Sequence, residues 1–416
     1  MERGTNEVGG PGYSKTLRNS AFFHVWLAQL VSQSGDFIFE VALIWLVLQA
    51  TRSILDVALI VTGTILPAVV IGPFLGVYLD RWDRKQTLVA TNLLEGAVVA
   101  LLALLVLSGL TNLWAIFGVV LVLGAGSWVV GVATSAYVPS LLSVEDLTSA
   151  NSLLSLSGSF NQIVGLALGG VVVALVGVAL PIEYDAVTFL AAAFLIWMTR
   201  VPPVSHATAK GQPSASFLLE FREGFAFIRA NRFMIEIILI GMLVNFFGNG
   251  MTALMAPYAS FVLRGGSTVY GLLGAAVAAG SLAGAGAIGK ANTRRSAGRF
   301  LFAGGLGVGL LILTLGFASD VPLALVLMAG IGIAITVTNL PMQTLLQAKV
   351  PDRLRGRVMS AFGALVMATG PAGPLVAGWI AARWSVSEAF LISGGAITVV
   401  LAVGVLSMHS LRDVEY

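Results

Sequence analysis

The chain contains no cysteine, which rules out disulfides, thiolate metal sites and cysteine nucleophiles and leaves the redox compartment unreadable. Charge is nearly as scarce. Asp, Glu, Lys and Arg together make up 10% of the 416 residues, against about 25% in soluble domains. A surface so poor in charge cannot face water all round, so most of it must face lipid. Histidine occurs only as His24, His206 and His409, at or beyond the edges of apolar runs. None of the three lies near a pair of acids inside such a run. The sequence holds no H-E-x-x-H, G-x-x-x-x-G-K-S/T or G-x-S-x-G constellation, so metalloprotease, nucleotide-cradling and serine-nucleophile chemistry have no foothold. No catalytic residue, metal site or organic cofactor is expected, and an ATP-driven cycle is excluded for this chain alone. Nor is there a basic run of the kind that binds nucleic acid, and the net charge is only +3.

What is present is hydrocarbon. Apolar residues make up 57% of the sequence, and the mean hydropathy is +0.93. A membrane span needs about 20 mainly apolar residues. Twelve such runs are predicted, at roughly 20–49, 54–79, 87–108, 113–138, 150–178, 181–200, 233–262, 269–290, 298–318, 321–348, 357–382 and 386–408. The least marked boundary is Gly177–Pro181, between the fifth and sixth. The first run, Ala21–Leu48, far exceeds the about 7–15 apolar residues of a leader peptide and is expected as a retained span. The fold class that follows is an all-α polytopic membrane protein, with twelve helices in two six-helix bundles. The expected division is a tail at 1–19, bundles at 20–200 and 233–408, a linker at 201–232 and a tail at 409–416.

Basic residues fix the expected orientation. Of 23 Lys and Arg residues, only Arg52, Arg264 and Arg383 fall on one side of this scheme. The rest fall on the side that carries both termini, which the positive-inside bias assigns to the cytoplasm. No Lys or Arg is left for a membrane interior. In the linker, Phe217, Phe221, Phe225 and Ile228 recur at helical spacing opposite Glu220, Arg222, Glu223 and Arg229, as in a surface helix lying against a membrane or bundle. An internal repeat links the halves. Leu30-Val31 and Gly35-Asp36 match Leu243-Val244 and Gly248-Asn249 at equal spacing, and Gly165 with Gly170 matches Gly373 with Gly378.

The most specific motif is Gly76-Val77-Tyr78-Leu79-Asp80-Arg81-Trp82-Asp83-Arg84-Lys85-Gln86-Thr87-Leu88. It resembles the loop signature of the major facilitator superfamily, G-x-L-x-D-R-x-G-R-R/K-x-x-L. Gly76, Asp80, Arg81, Arg84, Lys85 and Leu88 match, whereas Tyr78 and Asp83 depart from it. Gly76 suits a close helix contact, and Asp80 suits a positive helix N-terminus. The resemblance places that terminus near Arg355-Gly356-Arg357, giving a latch closed by Asp80 and Arg357 with Arg81, Arg84 and Lys85 around it. Plain topology-setting charge is the other reading of the basic residues. Gly165, Gly169 and Gly170 resemble the antiporter signature G-P-x-x-G-G without its proline; gating and tight helix packing both remain open for them. Ala150-Asn151-Ser152-Leu153, Asp185-Ala186-Val187-Thr188-Phe189 and Val350-Pro351-Asp352-Arg353-Leu354-Arg355-Gly356-Arg357-Val358 are similar to the branch holding macrolide-efflux and enterobactin-export proteins. That resemblance implies proton-driven export of a bulky amphipathic compound.

The first span reaches a compatible place by its own chemistry. Gln29, Gln33, Asp36 and Glu40 fall at i, i+4, i+7 and i+11, on one helix face. Each mid-span carboxyl costs about 2.5–3.5 kcal/mol or more in lipid, and no Lys or Arg in any predicted span neutralises it. The pair is therefore expected to face a wet cleft and to exchange protons near neutrality. A structural acceptor role for Asp36 beside Gly35 is the alternative. Glu95 is either a second proton site or a locally satisfied acceptor. In the seventh span Asn245, Asn249 and Thr252 are candidate cargo hydrogen-bonding groups, and Phe37, Phe39, Phe246 and Phe247 candidate apolar lining. Asp185 and Glu236 are expected at the membrane interface.

The function these features imply is secondary active transport by alternating access. The expected form is a proton-coupled antiporter in the cell (inner) membrane, with both termini cytoplasmic, that exports amphipathic small molecules of drug, macrolide or siderophore type. Its partners are then a small-molecule substrate, protons and the bilayer, with no nucleic acid, and a monomer is expected. A proton-coupled importer or facilitator is the first alternative. A membrane scaffold or sensor is the second, and an intramembrane enzyme a remote third.

Overall fold

In lipid every backbone N–H and C=O must find its partner within the protein, so long apolar runs become helices. The computed structural model describes residues 12–79, 82–110, 112–200, 217–290 and 297–407. A short α1 (Tyr13–Arg18) precedes six long helices: α2 (Ser20–Thr51), α3 (Ile54–Leu79), α4 (Arg84–Leu107), α5 (Leu113–Tyr137), α6 (Leu147–Val176) and α7 (Ala179–Trp197). A linker helix, α8 (Phe217–Ala230), leads to α9 (Arg232–Pro257), α10 (Ser267–Lys290), α11 (Ala297–Leu315) and α12 (Val321–Lys349). The last span but one is made of α13 (Arg355–Ala368) and α14 (Ala372–Arg383), and α15 (Val386–Ser407) follows. Among the described residues, twelve helical segments are long and apolar enough to cross a membrane. This is a multi-pass membrane fold.

Helix starts are set by local chemistry. Asn19, Asp83, Asn112, Asn231 and Asp320 each cap a helix by accepting from a backbone N–H two or three residues on, satisfying donors a helix leaves free. Asp83 thus does local work that the glycine of the loop signature would not. The first span of each half is followed by an arginine in left-handed conformation, Arg52 (φ 51°) after α2 and Arg264 (φ 52°) after the π-helical turn Tyr258–Val262 that continues α9. Non-glycine residues seldom adopt that conformation, so its recurrence supports the internal repeat.

The break between α13 and α14 falls at Thr369-Gly370-Pro371. Proline has no N–H to donate and disfavours helix in the residue before it. Two threonines act at the break: Thr369 Oγ1 donates to the Val366 carbonyl at the end of α13 at 2.7 Å and lies 3.2 Å from the Met242 carbonyl of α9, and Thr62 Oγ1 donates to the Pro371 carbonyl at 3.2 Å.

Packing divides the spans into two halves. In the first, α2 packs on α6 and α7, α4 on α7 and α3 on α5; in the second, α12 packs on α10 and α11, α11 on α15 and α9 on α14. The α10–α12 contact is backbone to backbone. A Cβ on Gly280 would overlap the Ala329 carbonyl, and one on Gly332 would overlap the Val277 carbonyl. Ser281 and Thr336 bridge the same helices through hydrogen bonds of 3.2 Å and 3.1 Å to Gly332 and Ser281 carbonyls. Such small-residue approaches drive helix association in membranes. Gly332→Val should therefore cost about 1–3 kcal/mol by overpacking, read as a lowered melting temperature in detergent; an unchanged melt would mean the helices part freely here.

Contacts between the halves gather at the face away from the chain ends. There α6 meets α10 and α3 meets α14. Ser267 Oγ donates to the Gly170 carbonyl at 3.0 Å, with Thr268 Oγ1 at 3.4 Å from the same oxygen. A Cβ on Gly271 would overlap the Leu166 carbonyl, and one on Gly378 would come within 2.5 Å of Ala58 Cβ. This far face is sealed by glycine.

Candidate functional site

Below that seal lies a cavity of about 410 Å³, walled by both halves. Asp36, Phe37, Phe39 and Glu40 of α2 line it, and Thr252 of α9 and Tyr270 of α10 face them from the second half. Its wall on α5 runs from Val120 to Ser127 and includes Gly124. Asp36 and Glu40 are half-buried, although they sit in the middle of a 32-residue helix. They keep surface open to a cleft, and no Lys, Arg or His stands among the described residues lining the cavity. A cavity of this size, mostly apolar with a few converging polar groups, suits a small organic ligand. Two carboxyls without a cation give it a preference for positive charge or for protons.

The remaining residues of the acidic stripe lie nearer the chain ends. Gln29 Nε2 donates to Thr134 Oγ1 at 3.2 Å, and Gln33 Nε2 donates to Gln29 Oε1 at 3.4 Å. They fasten α2 to α5 along the approach to the cavity rather than lining it. Phe37 packs its Cβ against Gly165 while its ring borders the cavity.

The asparagines of α9 sit elsewhere. Asn249 Nδ2 donates to the Asn245 carbonyl at 2.8 Å, turning back on its own helix. Asn245 Oδ1 is buried without a partner, at the Gly370 break. Thr252, one turn further, is the α9 residue that reaches the cavity. Phe246 borders a separate apolar groove between α9, Thr369 and α15, and stands edge-on to Phe247 at 5.0 Å.

Asp185 corrects the expectation of an interfacial position. It is fully buried in α7, with Oδ1 3.3 Å from Thr188 Oγ1 and Oδ2 without a partner. A Cβ on Gly35 would overlap Asp185 Oδ1, so this carboxyl lies against the α2 backbone beside Asp36. Glu95 is equally enclosed, and its Oε1 presses on Gly126 without a hydrogen bond. The second candidate interfacial acid, Glu236, is paired with Arg232 at 2.9 Å at the chain-end side of α9.

The centre of the candidate latch falls outside the described residues. Asp80 and Arg81 lie outside those residues, and Gly76 falls in the last turn of α3. Arg84 Nη1 donates to the Ala136 carbonyl at 2.9 Å, and Lys85 Nζ donates to the Thr199 carbonyl at 2.7 Å. Both cations cover free carbonyls at helix C-terminal ends within the first half, where positive charge is favoured. Arg357 pairs with Glu223 of the linker helix. Gly224 of α8 fits against the Arg357 backbone and Ile228 is buried, while Phe225 is left exposed. The linker helix thus packs through its Gly224–Ile228 edge. Among Gly165, Gly169 and Gly170, the first two face α2 and Gly170 lies at the seam between halves.

Comparison with known proteins agrees with this fold. The sequence profile of a family described as transmembrane secretion effector matches residues 13–415. Macrolide efflux protein A of Streptococcus pyogenes is 25% identical over 389 residues, covering 92% of this chain and 94% of that protein. The multidrug efflux pump Tap of Mycolicibacterium fortuitum is 27% identical over 380 residues, covering 88% and 90%. Among solved structures, the nucleoside transporter NupG superposes with a TM-score of 0.73 at 14% identity, covering 92% of this chain and 99% of that one. That last likeness concerns the fold alone.

Proposed function

Because the chain belongs to the transmembrane secretion effector family of major facilitator transporters, and so is a transporter and not an enzyme, we propose that it exports amphipathic, cationic small molecules in exchange for protons. The observation that carries this reading is the pair Asp36 and Glu40, half-buried in a cavity whose described lining contains no basic side chain. The relatives' names, macrolide efflux protein A and multidrug efflux pump Tap, favour export and suggest the cargo class. A macrolide joins a large apolar ring to a protonatable amine, which suits carboxylates set among phenylalanines.

With the chain ends in the cytoplasm of a bacterial inner membrane, the sealed far face makes the observed state inward-facing. The ionised carboxylates then accept a cationic cargo from the cytoplasmic side. The halves rock until the seal at Gly170, Gly271 and Gly378 parts and the chain-end side closes. Protons from the acidic exterior neutralise Asp36 and Glu40, the cargo loses its counter-charge, and it leaves. The protonated carrier returns and sheds its protons inward. One membrane-embedded copy holds the whole cavity, so a monomer suffices for this cycle.

Everted membrane vesicles acidified inside provide the test. Labelled erythromycin should accumulate in them, and an uncoupler should discharge it. Erythromycin lost from preloaded everted vesicles under the same gradient would establish import instead, and movement insensitive to the gradient would remove proton exchange.

A further inference from the structure

The exchange cycle uses the half-buried pair Asp36 and Glu40 and leaves aside two acids of the first half that are fully buried. These two, Glu95 and Asp185, are shut away. They are 1% and 0% exposed and neither lines the cavity. Each keeps one carboxyl oxygen, Glu95 Oε1 and Asp185 Oδ2, without a hydrogen-bond partner. Leaving a charged oxygen so placed costs several kcal/mol, and nothing nearby offsets it.

From α2, Gly35 lies against Asp185 and its chain neighbour Asp36 lines the cavity; Glu40 follows a turn later, and Tyr270 of α10 lines the same cavity. From α4 comes Glu95 itself. Packed on them, α5 carries no titratable residue before Tyr137 at its chain-end terminus, and α6 carries none. On α7, Glu183 and Tyr184 precede Asp185 in the helix, and the Tyr184 hydroxyl bonds Ser34 at 3.1 Å. No Lys, Arg or His lies on α2, α4, α5, α6 or α7 beyond His24, Arg84 and Lys85 near the chain-end side.

The wall between these acids and the cavity is one backbone thick at two places. Asp185 touches α2 at Gly35, whose neighbour Asp36 lines the cavity. Glu95 touches α5 at Gly126, whose neighbour Ser127 lines the same cavity. The two shielded acids also stand at one level of the α4–α7 contact, because a Cβ on Gly96 would lie 3.4 Å from the Ala186 carbonyl. The negative charges of Asp36, Glu95 and Asp185 would act on one another. Both glycines remove the side chain that would otherwise separate the groups.

We propose that Glu95 and Asp185 form a second proton store, shielded from cargo and filled through Asp36. This deepens the exchange reading and rests on it for its role in transport. In the filling step a proton leaves the Asp36 carboxyl and joins the carboxylate of Asp185 or Glu95; Asp36 becomes an anion, the acceptor becomes neutral, and no other bond changes. Cargo then competes only for the cavity pair, while the store carries protons that cargo never displaces by contact. Part of the proton number is thereby set by residues that do not touch cargo.

Infrared difference spectra of the full chain in lipid nanodiscs test the store without any transport assay. Carbonyl bands of protonated carboxyls should be present at neutral pH. Isotope labelling of Asp alone and of Glu alone should each shift one such band, with no substitution that risks the fold. Asp185→Asn and Glu95→Gln should each abolish one band, and Asp36→Asn should slow its refilling after a pH jump. In vesicles, Asp185→Asn should shift the pH profile of erythromycin efflux while KM stays within about two-fold. Carboxyls that are both ionised at neutral pH, or bands indifferent to Asp36→Asn, would overturn the store. Bands present in a chain that moves no erythromycin would instead defeat the exporter reading, so the two failures are distinguishable.

Discussion

Replacing Asp36 by Asn and Glu40 by Gln together is expected to abolish pH-driven erythromycin efflux while leaving the protein inserted and as heat-stable as before. The amides keep volume and hydrogen-bonding capacity, so Phe37 still packs on Gly165 and the cavity keeps its shape. What is lost is charge and the ability to titrate. Truncating one partner of a close charge pair in a buried interface costs about 2–5 kcal/mol, or roughly 30- to 5,000-fold in affinity. Cargo binding should fall at least to the lower end of that range. The folded protein should not suffer, because two mid-membrane carboxyls are a cost to the fold rather than a support. Counterflow, the exchange of labelled for unlabelled erythromycin without a gradient, separates the two losses. Counterflow retained at high cargo concentration with pH-driven efflux gone would mean that the pair couples protons. Unaltered pH-driven efflux in the double variant would remove both residues from the mechanism.

Why was that pair legible in the sequence when so much of its setting was not? Asp36 and Glu40 share one helix, and a period of 3.6 residues places them on one face without any knowledge of neighbours. The span limits were legible for a related reason: a bilayer fixes the length of each helix, so the run at 54–79 reappears as α3 and that at 321–348 as α12 within a residue. Thr252 and Tyr270 were harder. Their place in the cavity depends on how the two halves meet, and that depends on glycines such as Gly170 and Gly271 whose partners lie about a hundred residues away. Periodicity along one helix carries no such information.

Asp185 shows the limit most clearly. Counting from the start of its apolar run placed it at the interface, because position along a helix gives depth only if the helix stands upright and begins where the run begins. In the folded chain α7 starts earlier, at Ala179, and is drawn against Gly35, so the acid ends up enclosed. A signal was present: glycine occurs immediately before Asp36, and a helix lacking a side chain there invites a neighbour to press against it. Asn249 differs in the opposite direction, outside the cavity lining. Its alignment with Asp36 in the repeat suggested a cargo contact, but an amide can satisfy its own helix backbone, as its bond to the Asn245 carbonyl shows; an ionised carboxylate, having no donor, cannot. Arg84 of the loop motif and Arg357 of the Val350–Val358 segment are recognisable by pattern, yet they take partners, the Ala136 carbonyl and Glu223, that no spacing rule names.

Gly271→Val is expected to turn the carrier outward. Gly271 of α10 and Gly170 of α6 meet at the far-face seam, where any Cβ on Gly271 would overlap the Leu166 carbonyl. Valine adds two methyl groups to that overlap, against backbone that cannot swing aside. Overpacking of this kind costs about 1–3 kcal/mol. The cost falls only on the state in which the seam is closed, because α6 and α10 part there when the cavity opens to the other side. A penalty confined to one of two states shifts their ratio by roughly 5- to 150-fold. The absence of native cysteine makes the readout direct, since Thr64→Cys places a single thiol on the cavity wall. In the Thr64→Cys chain, a membrane-impermeant thiol reagent should label fastest in everted vesicles, from the chain-end side. With Gly271→Val added, labelling should become fastest in right-side-out vesicles, and net efflux should fall because the carrier no longer returns readily to load. Fast labelling from the chain-end side in both variants, with the protein intact, would show that the glycine contact is packing alone and that the seal lies elsewhere. The reasoning extends to Ala58 and Gly378 at the α3–α14 contact, which should tolerate bulk no better, because each half can close on the other only where side chains have been stripped from both.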